Sequence, residues 1–208
     1  MRGDQYAVCN RDSDGLSPGQ FQYGLLDIPN QKVDIRSNGS GNLGASNATV
    51  LLGWGAGVIV AVHDIGKAFL AVLVVKFLFP DVENVGVVTG VACILGHIYP
   101  FYLKFKGGKG LASMIGVVAA LDWRVALAVV VLLVVVTLVT DFIALGTISV
   151  SVASPLGMWL TTHNWLVALI LCIATVVMIF KHADNIKRIR NKTEIGLLST
   201  VKGENRMK

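Results

Sequence analysis

Apolar residues in this chain fall in long unbroken blocks, unlike the alternating pattern of a half-buried strand or the three-and-four spacing of an amphipathic helix. Val125–Val139 holds no charged residue, and Phe142–Leu160 holds none either. A helix needs about 20 apolar residues to cross roughly 30 Å of hydrocarbon. Five segments approach or exceed that length: Leu51–Phe79, Val85–Leu103, Val125–Thr140, Phe142–Leu160 and Trp165–Phe180. A sixth, Leu111–Leu121, has 11 residues and reaches about 17 Å as a helix unless neighbouring glycines extend it. The expected fold is an all-α, polytopic transmembrane helical bundle of about six spans.

Composition agrees. Of 208 residues, 54% are hydrophobic and 15% are charged, against about 25% charged in an ordinary soluble domain. The net charge of +5 reads as a topology signal, because Lys and Arg collect in cytoplasmic loops. Pro80–Asn84 carries Asp81 and Glu83 and no positive charge. Lys104–Gly110 carries Lys104, Lys106 and Lys109, and the tail after Phe180 carries Lys181, Lys187, Arg188, Arg190 and Lys192. With six crossings these sides alternate consistently, placing the segment before Leu51, the triple-lysine loop and the tail inside. Charges that sit beside spans argue for a lipid headgroup partner and against nucleic acid. Cys9, Cys93 and Cys172 have no paired spacing, so neither a disulfide framework nor a metal site is expected. Residues 1–31 are polar, lack the apolar core of a signal peptide and read as a region apart; residues 197–208 form a polar tail. Asp122 and Arg124 flank Trp123 at an expected outer interface, and His163 reads as a solvated turn residue.

Three polar clusters interrupt the apolar pattern. Asn38–Asn47, NGSGNLGASN, has three glycines among small polar residues, a composition that can gather backbone N–H groups into an anion-binding hollow. A plain loop capped into a helix by Asn47 or Thr49 suits the same residues, and on composition alone that plainer reading leads. Gly96–Gly110, GHIYPFYLKFKGGKG, places a helix-breaking Pro100 before Lys106, Gly107, Gly108, Lys109 and Gly110. That is a phosphate cradle at a helix start or a basic topogenic turn. It is not a Walker A loop, since Gly110 follows Lys109. His97, just inside a span, reads equally as a satisfied interior histidine. Lys181–Glu194, KHADNIKRIRNKTE, follows the last span; His182 and Asn185 are three apart and share a helical face. Histidine suits proton transfer near neutrality, while the basic residues suit an interfacial helix.

Together the clusters resemble the bacterial membrane glycerol-3-phosphate acyltransferases that use acyl-phosphate as donor. The resemblance rests on DIRSNGSGNLGASN at Asp34–Asn47, HDIGKA at His63–Ala68, GHIYPFYLKFKGGKGLAS at Gly96–Ser113 and KHADNIKRI at Lys181–Ile189. It implies a transmembrane acyltransferase domain over residues 32–196, in the bacterial inner membrane, with its active face toward the cytoplasm. It implies transfer of a fatty acyl group from acyl-phosphate to the 1-hydroxyl of glycerol 3-phosphate, giving lysophosphatidate and phosphate for phospholipid synthesis, with no cofactor. On the chemistry of the residues, the hypothesis is that His182 acts as general base toward the glycerol hydroxyl, positioned by Asn185; the competing hypothesis makes a substrate phosphate the base and His182 its orienting group. Ser40, Gly41, Asn42, Asn47, Lys106, Gly107, Gly108, Lys109 and Gly110 hold the phosphorylated substrates, and Thr147 stands where the family has a substrate-contacting serine.

The chain departs from the family at several points. The family has seven helices, and the one expected before the first motif is replaced here by polar residues. Val50 stands where an arginine is usual, and Lys181, Ala183 and Asp184 differ from the usual third motif. Two other readings therefore stand beside the enzyme. One is a transporter or channel whose pathway is lined by His63, Asp64 and Lys67. The other is a catalytically inactive homologue.

Overall fold

The structure is a computed structural model, described here for residues 39–197. These residues form eight α-helices: α1 (Ala45–Leu52), α2 (Trp54–Leu78), α3 (Val85–Ile98), α4 (Leu111–Leu121), α5 (Trp123–Thr140), α6 (Ile143–Thr162), α7 (Trp165–Lys181) and α8 (Ala183–Arg190). A short 3-10 turn at Phe101–Leu103 follows α3. The architecture is an all-α polytopic bundle. Four segments are long and apolar enough to cross a membrane: α2, α3 with its following turn, α5 and α6. A fifth is reached if α7 and α8, bent by 44° at their junction, count as one.

Two departures from the expected six spans have physical causes. The block Leu51–Phe79 is not one helix. Gly53, at φ +89°, adopts a backbone conformation that side-chain-bearing residues rarely hold, and it separates α1 from α2. Leu111–Leu121 gains no length from its glycines. Its start is fixed by Gly110 at φ +92° and its end by Asp122, whose carboxylate accepts the Arg124 N–H at 2.9 Å.

The short α4 is the centre of the bundle, packed against α2, α3, α5 and α6. Met114, Val117 and Val118 on it are sealed from solvent, as are Val72, Ile94, Val150, Leu171 and Met178 around it. Between helices in lipid, close packing replaces the hydrophobic driving force, and small residues permit it. The Gly116 backbone lies against the Ile65 carbonyl of α2, and Gly90 of α3 lies against Val117. Large apolar side chains such as Leu70, Phe77, Val131, Leu156 and Ile173 point outward, where lipid would meet them.

Pro155 lies inside α6 without ending it. A proline has no N–H to give the carbonyl four residues back, which here is Ser151. The Thr175 hydroxyl of α7 donates to that carbonyl at 2.6 Å, so the released group is satisfied by the neighbouring helix.

At one end of the bundle the Asn164 amide donates to Asn84 Oδ1 at 3.1 Å, joining the α6–α7 and α2–α3 turns. His163 is an exposed, left-handed turn residue there. At the opposite end lie α1, the end of α3, the start of α4, the end of α7 and α8. All three polar clusters meet at that end.

Candidate active site

Pro100, at φ −66°, follows the last residues of α3 and prevents the helix from continuing. The chain turns through Phe101–Leu103, passes Lys104 and Phe105 in left-handed conformations, and folds back onto α3. Gly107 N–H donates to the Ile98 carbonyl at 3.2 Å and Gly108 N–H to the His97 carbonyl at 3.1 Å. A Cβ at Gly107 would collide with the His97 carbonyl, and one at Gly108 with the His97 imidazole. Only glycine admits this approach. Gly110 then opens α4, so the unpaired first-turn amides of that helix and its positive dipole end emerge beside Lys109. The Ser113 hydroxyl in this same first turn is buried and has no hydrogen-bond partner among the described residues.

The second and third clusters meet through Lys109, whose ammonium donates to Asn185 Oδ1. The Asn185 amide orientation is set from its other side: Nδ2 donates to Glu194 Oε1 at 2.6 Å, and Arg188 Nε donates to Glu194 Oε2 at 2.6 Å. Burial pushes the Lys109 amine down to about 8, Arg188 adds to that fall, and the Glu194 carboxylate opposes it. His182 sits at the bend between α7 and α8 and is 3% exposed. Its Nδ1 lies 2.7 Å from the Met178 carbonyl. A carbonyl only accepts, so Nδ1 must carry the proton, and the neutral ring keeps its lone pair on Nε2. His182 and Asn185 are both buried, as their shared helical face requires.

The first cluster meets the second across a cleft of about 300 Å³ lined by Gly41, Tyr102, Leu103, Lys104 and Lys106. Ser40 is exposed and Asn42 half-buried; the Ser40 N–H donates to Asn47 Oδ1 at 3.0 Å. This corrects the capping expectation. Asn47 is inside α1, and its oxygen is committed to the preceding loop. Thr49 bonds back to the Ala45 carbonyl at 2.9 Å, and Gly44 caps the helix without a side-chain bond. Residues 34–38 of this motif, and the regions 1–31 and 198–208, lie outside the described residues.

Residues 19–192 match the family model described as glycerol-3-phosphate acyltransferase. The chain belongs to the glycerol-3-phosphate acyltransferase family. It is 37% identical over 178 residues to glycerol-3-phosphate acyltransferase 1 of Oceanobacillus iheyensis, a match covering 80% of this chain and 84% of that one. It is 36% identical over 181 residues to the Myxococcus xanthus enzyme, covering 86% and 94%. Its fold is similar to the crystal structure of PlsY, an integral membrane glycerol 3-phosphate acyltransferase, in the glycerol 3-phosphate form. There the TM-score is 0.80 at 31% identity, over 90% of this chain and 94% of PlsY. The lysophosphatidic acid form of PlsY gives 0.76 at 31% identity, over 88% and 93%.

In this acyltransferase-family chain, Thr147 lies near the start of α6. It is buried on α6, and its hydroxyl donates to the Ile143 carbonyl of its own helix at 2.9 Å. Of the residues expected to line a transport pathway, Asp64 and Lys67 are bonded to each other and to α3. Asp64 is 1% exposed, and Lys67 donates to it at 2.6 Å and to His97 Nδ1 at 3.0 Å, joining α2 to α3. His97 is therefore a bonded interior histidine. Glu194 and Arg188 escaped the reading of the sequence. Glu194 is nine residues beyond Asn185 and past the end of α8, so no helical spacing connects the two.

Proposed function

We propose that this chain transfers a fatty acyl group from acyl-phosphate to the 1-hydroxyl of glycerol 3-phosphate, releasing lysophosphatidate and inorganic phosphate. The observation that carries this reading is the junction of Lys109 with Asn185 beside His182, at the open end of the Gly107–Gly110 turn. Two phosphorylated molecules must be held side by side, which calls for cations and N–H donors. Lys109, Lys106, the first amides of α4, the Gly41 backbone and the side chains of Ser40, Asn42 and Asn47 supply them. Charge-assisted hydrogen bonds of this kind are about twice as strong as neutral ones. Thr147 adds a hydroxyl if its rotamer turns toward substrate.

The chemistry then needs little more than placement, because acyl-phosphate is already activated. The glycerol 1-oxygen attacks the acyl carbon, the bond from that carbon to the phosphate oxygen breaks, and the electron pair leaves with phosphate. The glycerol proton passes to His182 Nε2, whose lone pair the Met178 carbonyl secures through Nδ1. Asn185 keeps Lys109 in place for the departing charge. Orientation of two bound reactants is worth up to about 7–11 kcal/mol, and fixed donors aimed at the developing charge add to it.

The membrane arrangement follows the charge. The site end carries Lys104, Lys106, Lys109, Lys181, Lys187 and Arg188, and the turn at the other end carries Asp81 and Glu83. By the positive-inside rule the site faces the cytoplasm of a bacterial inner membrane. With α4 as a short sixth crossing, the alternation of ends is complete.

The test is turnover by the purified protein in lipid vesicles with acyl-phosphate and glycerol 3-phosphate. Equimolar phosphate and lysophosphatidate are expected. With His182→Gln the rate should fall by about 10²–10⁴ if the ring is the base. Retained turnover in that variant would sink the obligatory base and assign the proton to a substrate phosphate.

A further inference from the structure

The ion pair of α2 has no part in the scheme above, yet two charges inside a span are costly to keep. Asp64 is 1% exposed and His97 7%. Lys67 bridges them, 2.6 Å from Asp64 Oδ1 and 3.0 Å from His97 Nδ1, and Asp64 Oδ1 lies 3.5 Å from the same nitrogen. An ammonium has only protons to give, so His97 Nδ1 accepts and Nε2 carries the hydrogen. The ring plane and its tautomer are thus both fixed from α2.

What rests on that ring is the glycine turn. The Gly108 backbone is seated against the Nε2 edge of His97, so closely that no Cβ fits between them. The His97 carbonyl also takes the Gly108 N–H at 3.1 Å, while Gly107 is wedged between that carbonyl and Pro100. One residue therefore supports the turn with both its backbone and its side chain. Lys109 and the amides of α4 follow directly, so a tilt of the ring would be carried into the groups that face phosphate.

We infer that Asp64 and Lys67 are positioning residues for the acyl-transfer site, acting through His97 to hold the Gly107–Gly108 turn in its phosphate-binding shape. This rests on the reading of that turn as a phosphate site. Neither residue touches substrate; both act at a distance of two contacts. The HDIGKA segment and the GHIYPFYLKFKGGKG segment then form one functional unit, the first bracing the second.

Two sets of variants test this in vesicles, with the KM for glycerol 3-phosphate, kcat per folded molecule and thermal unfolding read together. Asp64→Asn with Lys67→Met removes both charges at once and leaves no lone buried ion. KM should rise between about tenfold and a hundredfold, as expected when reacting groups are misplaced by a fraction of an ångström to an ångström. The unfolding temperature should change little. Lys67→Arg, which still donates to both partners, should recover most of the loss. A purely structural pair would instead lower the unfolding temperature and leave KM unmoved. The second set is the cycle of Gly108→Ala, His97→Ala and their combination. Because the alanine methyl collides with the ring, removing the ring should relieve much of the Gly108→Ala defect. Additive effects, or an unchanged KM in the Asp64/Lys67 double variant, would overturn the inference while leaving acyl transfer intact. A wild-type protein that neither turns over nor binds glycerol 3-phosphate would overturn the parent reading, and this inference with it.

Discussion

Raising the pH from 7 to 9 should strip the charge from Lys109 and most of the activity with it. The amine is pushed down to about 8, first by burial, then by the Arg188 guanidinium; Glu194 and Asp184 pull it back up, and Lys181 pushes it further down. A lysine is charged below its pKa, so phosphate recognition is intact below about pH 8 and is lost above it. One unit below, about nine tenths of the molecules carry the charge, and one unit above, about one tenth do. If the charged form alone binds productively, kcat/KM for glycerol 3-phosphate falls about tenfold between pH 7 and 9. The substrate does not contribute to this limb, because a phosphate monoester loses its second proton near about pH 6. Unfolding does not mimic it through this group either. With the folded value lowered, the unfolded chain binds more protons above about pH 8, so the Lys109 contribution to stability rises with pH. The assay is the pH profile of kcat/KM with parallel thermal unfolding. Lys109→Arg, charged throughout, should lower the plateau and remove the alkaline limb. A flat wild-type profile to pH 9.5, or the same limb in the arginine variant, would refute the reasoning.

Glu194→Ala should release the Asn185 amide and take away a carboxylate that supports the Lys109 charge, moving the alkaline limb to lower pH; an unmoved limb would contradict the linkage. Thr175→Val should leave the Ser151 carbonyl unpaired beside Pro155, cost about 1–3 kcal/mol and lower the unfolding temperature with kcat unchanged. Gly107→Ala should raise KM for glycerol 3-phosphate, because its methyl meets the His97 carbonyl and not a mobile side chain; binding measured by calorimetry would show it directly. Val50→Arg, placing the family's usual residue on an exposed position of α1, should lower that KM by about tenfold if it supplies one charge-assisted phosphate contact.

The apolar blocks marked most of the helices, because a segment that faces lipid satisfies its backbone within the helix and carries few charged side chains, which the sequence shows directly. The three-residue spacing of His182 and Asn185 placed both on one buried side of the α7–α8 bend, but their bonds run elsewhere, His182 to the Met178 carbonyl and Asn185 to Lys109 and Glu194. The Gly107–Gly110 turn was legible as well, where each glycine answers a contact or a backbone angle. The parts that escaped depend on contacts distant in sequence. Gly53 ends α1 within an apolar run that gives no other sign of a break. Asn47 has the composition of a cap, but its oxygen is claimed by Ser40 from the loop before. Glu194 reaches Asn185 only after the chain turns past α8. Asp64 and Lys67, with His63, lined a path in the alternative transporter reading; what the spacing did not show is His97, thirty residues beyond Lys67, which bonds the pair to α3. Thr147 was placed by resemblance alone, and its hydroxyl bonds to its own helix.

The most direct test follows an oxygen atom. Glycerol 3-phosphate labelled with oxygen-18 at the 1-hydroxyl is supplied with unlabelled acyl-phosphate to the purified protein in vesicles, and both products are analysed by mass spectrometry. Attack of the glycerol oxygen on the acyl carbon predicts that every lysophosphatidate ester carries the label and that the released phosphate, equal in amount, carries none. Label in the phosphate, or no product from folded protein, would contradict the account.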